Sequence, residues 1–127
     1  MCGFVGAFGN GNLPNPEQMR RMTRRIAHRG PDDEGFLSGD RFSLGFRRLA
    51  ILDLSYRGHQ PLMSRDGRHA IVFNAEVFNY LELRARLESE GHRFESGTDR
   101  EVVLTAYLAW GDACVATLMG VFSLLIS

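Results

Sequence analysis

Apolar positions along this chain fall into two kinds of block, short runs broken by glycine and longer stretches with helical spacing. Residues 2–8 form a Gly-punctuated apolar run, suited to a short strand whose backbone something approaches closely. Residues 9–14 are rich in turn formers. Asn15-Pro16-Glu17-Gln18 then reads as a helix start, with Asn as cap, Pro in the first turn and Gln three residues after the cap. Met19, Met22 and Ile26 are spaced for one face of that helix and Arg20, Arg21, Arg24 and Arg25 for the other, until Gly30-Pro31 ends it. Strands are predicted over 35–38, 42–52 and 69–73, with turns at Gly39-Asp40 and Arg65-Asp66-Gly67.

Asn79 is placed to cap a second helix that points Tyr80, Leu83 and Leu87 inward and stops at Gly91. Thr98-Asp99-Arg100-Glu101 fits a capping box for a third, with Val103, Leu104, Tyr107, Leu108 and Trp110 inward. A last apolar strand spans 121–126. Strands in runs, with helices between the runs, predict an α+β fold rather than a regular βαβ series.

The 127 residues are enough for one domain with a real hydrophobic core. Fifteen cations, all Arg, balance fifteen anions, so no global field would draw in nucleic acid or an anionic membrane. The Arg cluster of the first helix is read as a solvated face. No stretch nears the ~20 apolar residues of a membrane helix, and the start lacks a basic leader. Cys2 and Cys114 are too few for a disulfide scaffold, so a reduced, cytoplasmic compartment is expected. His28, His59, His69 and His92 show no metal-ligand spacing, and no metal site is predicted.

Four positions could carry chemistry. Removal of Met1 would leave Cys2 with a free α-amine able to accept its own thiol proton, which places nucleophile and base on one residue. The bland reading is a small buried hydrophobe. Arg47 and Arg48 are adjacent in a strand, so one of them heads inward and needs an anion. That anion could be a substrate carboxylate or an internal acid. Asn74 with the N–H of Ala75 makes a two-donor pair suited to an oxyanion, or else a strand-end turn. Asp99 could hold an ammonium, or simply sit in the first turn of its helix. Taken together, the four complement a zwitterionic amino acid with a carbonyl at the far end of its side chain.

The motifs add a resemblance. Cys2-Gly3 after the initiator resembles the start of class II glutamine amidotransferases. His28-Arg29-Gly30-Pro31-Asp32, Arg48-Leu49-Ala50-Ile51-Leu52-Asp53, Gln60-Pro61-Leu62, Phe73-Asn74-Ala75-Glu76 and Gly97-Thr98-Asp99-Arg100-Glu101-Val102 resemble the asparagine synthetase branch in order and spacing, and Gly120-Val121-Phe122 matches as well. The resemblance implies an N-terminal-nucleophile (Ntn) hydrolase fold, a four-layer αββα sandwich, here with an incomplete second sheet in an N-terminal fragment of a longer protein. It implies Cys2 as nucleophile, Arg48 on the glutamine α-carboxylate and the Leu49, Ala50, Ile51 and Leu52 backbone lining the pocket. Asn74 and the Ala75 N–H would form the oxyanion hole, and Glu76 and Asp99 would hold the α-ammonium.

The implied activity is hydrolysis of glutamine to glutamate and ammonia, with the ammonia supplied to an ATP-dependent synthetase domain that this chain lacks. No cofactor is expected in the present domain; ATP and Mg would belong to the synthetase, since Ser96-Gly97-Thr98-Asp99 is not its Ser-Gly-Gly phosphate loop. The expected partners are glutamine and that C-terminal domain. Three readings stand beside this one: a non-catalytic glutamine-binding or regulatory module, an amidotransferase with another acceptor, and a structural fragment that forms a homodimer through unpaired strand edges. The chain departs from the branch pattern at Ala75, where Gly is usual, at Phe46, where His is usual, and at Ala50, where Ser is usual. Ala75 costs roughly 1–2 kcal/mol only if its φ is positive.

Overall fold

The computed structural model describes residues 2–50 and 56–127. Its first sheet has three antiparallel strands in the order β1-β3-β2, formed by β1 (Gly3–Phe8), β2 (Asp33–Ser38) and β3 (Phe42–Arg48). Gly3 stands opposite Arg47, and Asp33 opposite Arg48. The second sheet runs β4-β5-β6, from β4 (Leu62–Met63), β5 (Ala70–Val77) and β6 (Gly120–Ile126). The helices are α1 (Pro16–Arg25), α2 (Tyr80–Ser89) and α3 (Asp99–Trp110). This is the α+β class that the run-wise pattern predicts.

Two compact units divide the chain, Met1–Asn74 with Leu124–Ser127, and Ala75–Ser123. In the first, Leu44, Phe46, Ala70 and Val72 are fully buried, with Cys2, Phe4, Leu37, Phe42 and Leu125 packed on them. Phe46, where the resemblance leads one to expect His, is therefore a core residue. Helix α1 packs on β3 and β1. Its capping box forms as read, with Asn15 Oδ1 accepting from Gln18 N (2.8 Å) and Gln18 Oε1 from Asn15 N (2.9 Å). Its inward face differs from the prediction, because Met19 and Thr23 are buried while Met22 is exposed. Thr23 can go inside because its hydroxyl donates back to the Met19 carbonyl at 2.9 Å. It lies against Gly45, where a side chain would collide with it.

In the second unit α2 packs on α3, with Leu83, Leu87, Val102, Val103, Leu104 and Ala106 buried. Gly91 ends α2 as predicted. At φ +95° its N–H bonds the Glu88 carbonyl and the His92 N–H that of Leu87, both at 3.0 Å, the paired bonds of a Schellman stop. The two predicted caps do not form. The Asn79 side chain instead ties Thr117 O (2.9 Å) and Met119 N (2.9 Å). Glu101 accepts from the N–H groups of Glu95 and Ser96, both at 2.7 Å, rather than from Thr98. In each case a long-range or loop partner outcompetes the local cap. Leu108, expected inward, is exposed, and Tyr107 and Trp110 are half-buried.

Strand boundaries shift in two places that matter for the site. Strand β3 ends at Arg48 instead of running to Leu52, and β5 continues through Asn74, Ala75 and Glu76. Asn74 is therefore a strand residue, not a strand-end turn.

Candidate active site around Cys2

Cys2 precedes β1 and reaches the site because that strand starts on two contacts. Gly3 pairs with Arg47, and a Cβ at Gly3 would lie 3.2 Å from side-chain atoms of both Arg29 and Ile26. Arg29 in turn donates from Nε to the Cys2 carbonyl at 3.2 Å. The half-buried Cys2 side chain leans on the core, and its Sγ meets the main chain of Leu49. The Leu49 N–H donates to the sulfur at 3.4 Å, and the Leu49 carbonyl lies 3.9 Å away.

Adjacent in β3, Arg47 and Arg48 meet two different fates. Arg47 pairs with Glu34 (Nη1–Oε2, 2.7 Å) and donates from Nε to the Gly30 carbonyl at 2.8 Å. It takes the internal acid. Arg48 is the buried one, at 8% exposure, and continuing the β1–β3 register by one step sets Cys2 opposite it. Its guanidinium lies flush on Gly58, where an added Cβ would collide with Nε, Cζ and Nη2 together.

The backbone around Arg48 is held from below. Gly30 lies so near the Arg47 and Arg48 main chain that no side chain fits there. Asp32 donates its N–H to the Arg48 carbonyl at 3.0 Å and accepts the Ala50 N–H on Oδ2 at 2.7 Å. Of the predicted pocket backbone, Leu49 and Ala50 are thus fixed, while Ile51 and Leu52 lie outside the described residues.

Asn74 is positioned through its neighbour. The side-chain amide of buried Gln60 completes both backbone bonds of Phe73, giving Nε2 to the carbonyl (3.0 Å) and taking the N–H on Oε1 (2.7 Å). It acts as a one-residue strand partner. The amide of Asn74 itself makes no hydrogen bond among the described residues, and no buried polar orphan is found there. Ala75, next in β5, is not among the residues with positive φ, so its Cβ carries no left-handed penalty.

In the second unit Glu76 is exposed, and its carbonyl closely abuts Gly120, which adopts φ +155°. Any side chain at Gly120 would meet that carbonyl, which gives the Gly120-Val121-Phe122 motif a steric reason. Asp99 is half-buried at the start of α3. Burial raises its carboxyl above the ordinary value, opposed by hydrogen bonds from the backbone N–H groups of Val77 and Arg100. Asp99 therefore lies beside the residue that follows Glu76.

By position, then, Cys2, Arg48, Leu49, Ala50 and Asn74 belong to the first unit, and Ala75, Glu76 and Asp99 to the second. Asp32, Gly58 and Gln60 also position site residues, a role their residue types alone do not announce. The one signal in the sequence is that Asp32 ends the His28-Arg29-Gly30-Pro31-Asp32 motif and Gln60 begins Gln60-Pro61-Leu62. Among the described residues no three His, Cys, Asp or Glu side chains cluster to hold a metal. No described helix is long and apolar enough to cross a membrane.

The family model for the glutamine amidotransferase domain matches residues 1–127. The chain belongs to that family. Among its relatives, asparagine synthetase [glutamine-hydrolyzing] 1 of Bacillus subtilis is 40% identical over 99% of this chain and 20% of its own length. Putative asparagine synthetase [glutamine-hydrolyzing] 2 of Methanocaldococcus jannaschii is 38% identical over 97% of this chain and 27% of its own length. An Arabidopsis thaliana asparagine synthetase [glutamine-hydrolyzing] 1 is 36% identical, covering 97% and 21%. The amidotransferase domain described here thus spans 20–27% of the length of these relatives.

Two solved structures share the fold. The Bacillus subtilis glutamine phosphoribosylpyrophosphate amidotransferase complexed with ADP and GMP aligns at TM-score 0.56, and the allosteric regulatory enzyme of purine biosynthesis at 0.59. Both are 24% identical over 68% of this chain and 21% of theirs, and the shared fold is that of the Ntn-type amidotransferases.

Proposed function

We propose that this amidotransferase domain hydrolyses glutamine and delivers the ammonia to an ATP-dependent, asparagine-synthetase-like partner domain. The single observation that carries the reading is the Cys2 sulfur docked on the N–H of Leu49, the residue that follows buried Arg48.

The chemistry runs on the chain's own groups. With Met1 removed, the Cys2 α-amine takes the thiol proton, and the sulfur attacks the side-chain amide carbon of glutamine. Asn74 and the Ala75 N–H stabilise the oxyanion. Arg48 takes the α-carboxylate, with the backbone of Leu49 and Ala50 beside it, and Glu76 and Asp99 take the α-ammonium. The amine's proton passes to the leaving nitrogen, ammonia departs, and a thioester remains. Water then attacks the thioester, giving glutamate and regenerating the thiol. None of these steps calls for a cofactor; ATP and Mg serve the synthetase chemistry, where the acceptor is aspartate. Retained Met1 would acylate the amine and remove the base. The setting is the reduced cytoplasm.

The test is glutamate release from glutamine by the Met1-processed protein and by Cys2→Ala. Release only by the former is expected. Equal rates would refute the proposal.

A further inference from the structure

His59 touches none of the groups that would meet glutamine, yet its contacts lead to Arg48. Its Nδ1 is 2.8 Å from Asp33 Oδ2, and both side chains are about two-thirds or more covered, at 27% and 34% exposure. The other Asp33 oxygen takes the Glu34 N–H at 2.9 Å, so the carboxylate is fixed at both ends. The imidazole also lies against Gly35, where a Cβ would sit 3.1 Å from Cε1. Asp33 and Gly35 are two apart in β2 and so share a face.

His59 closes a short turn. Its N–H bonds the Tyr56 carbonyl at 2.9 Å, and the Tyr56 ring stacks on the imidazole with centroids 4.9 Å apart. Gly58 belongs to this turn, and Gly58 is the residue pressed on the Arg48 guanidinium. Asp33, which anchors the turn, is the cross-strand partner of Arg48.

We infer that His59 is a positioning residue for glutamine hydrolysis: its bond to Asp33 seats Gly58 on Arg48 and so sets the plane in which the guanidinium meets the α-carboxylate. This rests on the glutaminase reading above. A planar fork recognises a carboxylate only in a fixed orientation, and a buried guanidinium has few ways to correct a tilt. No third ligating side chain joins His59 and Asp33 among the described residues, which leaves a metal role without support.

The experiment is steady-state hydrolysis by the Met1-processed protein, with glutamine and with glutamine α-amide, whose α-carboxylate charge is gone. His59→Ala is expected to raise KM for glutamine roughly tenfold while kcat stays within about twofold. The α-amide should react with wild type and His59→Ala alike. His59→Asn, which restores a donor near the Nδ1 position, should recover most of the lost affinity. Asp33→Ala combined with His59→Ala should cost no more than either change alone. Gly58→Ala, which leaves the His59–Asp33 bond in place, should raise KM independently. Equal effects of His59→Ala on both substrates, or an unchanged KM with active wild type, would overturn the inference and leave the glutaminase reading standing. No turnover by wild type would overturn both.

Discussion

The Leu49 backbone N–H faces the Cys2 sulfur across 3.4 Å, one residue beyond the buried arginine Arg48. Thiol and cation are thereby referenced to the same three residues of main chain, 48–50. The support is a backbone group, so the side chain at position 49 is not what holds the sulfur. What holds residues 48–50 is Asp32, with one bond to the Arg48 carbonyl and one to the Ala50 N–H.

Asp32→Ala keeps the first of those bonds and removes the second. Asp32 is exposed, so stability should change by no more than about 1 kcal/mol. Freed residues 49 and 50 would let the sulfur and its support drift, and a misplacement of this kind lowers kcat/KM by roughly tenfold or more. Glutamate release alongside a thermal melt checks both halves. An unchanged kcat/KM would mean that the Asp32 anchor is dispensable.

Arg47 and Arg48 should separate cleanly under the same substitution. Arg48→Gln removes the charge that meets the α-carboxylate, and hydrogen bonds to charged groups are worth about 1.5–3 kcal/mol, so KM should rise roughly tenfold to a hundredfold. Arg47→Gln breaks an ion pair whose Glu34 side is 45% exposed, which is worth about 0–1 kcal/mol of stability and leaves KM unchanged. Competition binding with glutamate would show the same contrast. Similar KM values for both variants would contradict the assignment of Arg48.

These particulars show what the sequence carried. Parity in β3 required one inward arginine but left open which; the answer came from Glu34, a cross-strand neighbour that engages Arg47. Local signals succeeded where the competition was local, as at the Asn15 capping box and the Gly91 stop. They failed where a distant group supplied a better partner, as at Asn79 with Thr117 and Met119. Helical spacing placed Met22 inward, but a threonine able to bond its own backbone took the buried position one residue on. The contribution of Gln60 was illegible from residue type alone, because a side chain substituting for a strand depends on a fold that brings it to Phe73.

Gln60→Ala tests that substitution. Two buried backbone groups of Phe73 would lose their partners, at about 1–3 kcal/mol each, so urea unfolding should shift to markedly lower denaturant. Asn74 follows Phe73 directly, and kcat should fall with stability even at temperatures where the variant is folded. Loss of stability with full kcat would separate Gln60 from the oxyanion site.

Asp99 offers a prediction in which stability and function move in opposite directions. Burial raises its folded-state carboxyl above the unfolded value of 3.8, against the pull of the Val77 and Arg100 backbone N–H groups. Well below that value the group is protonated in both states and costs nothing. As pH rises past it, the unfolded chain releases its proton first, so stability falls until the folded carboxyl has ionised too, and the loss is then constant. Asp99→Asn keeps an acceptor for the Val77 N–H and removes the buried charge. The variant should melt higher than wild type at pH 7 and equally at pH 3. A substrate ammonium would offset the same desolvation, so the substitution should also raise KM for glutamine. Paired melts at the two pH values, read with KM at pH 7, check both. A melting difference independent of pH would reject burial as the cause, and an unchanged KM would reject the ammonium role.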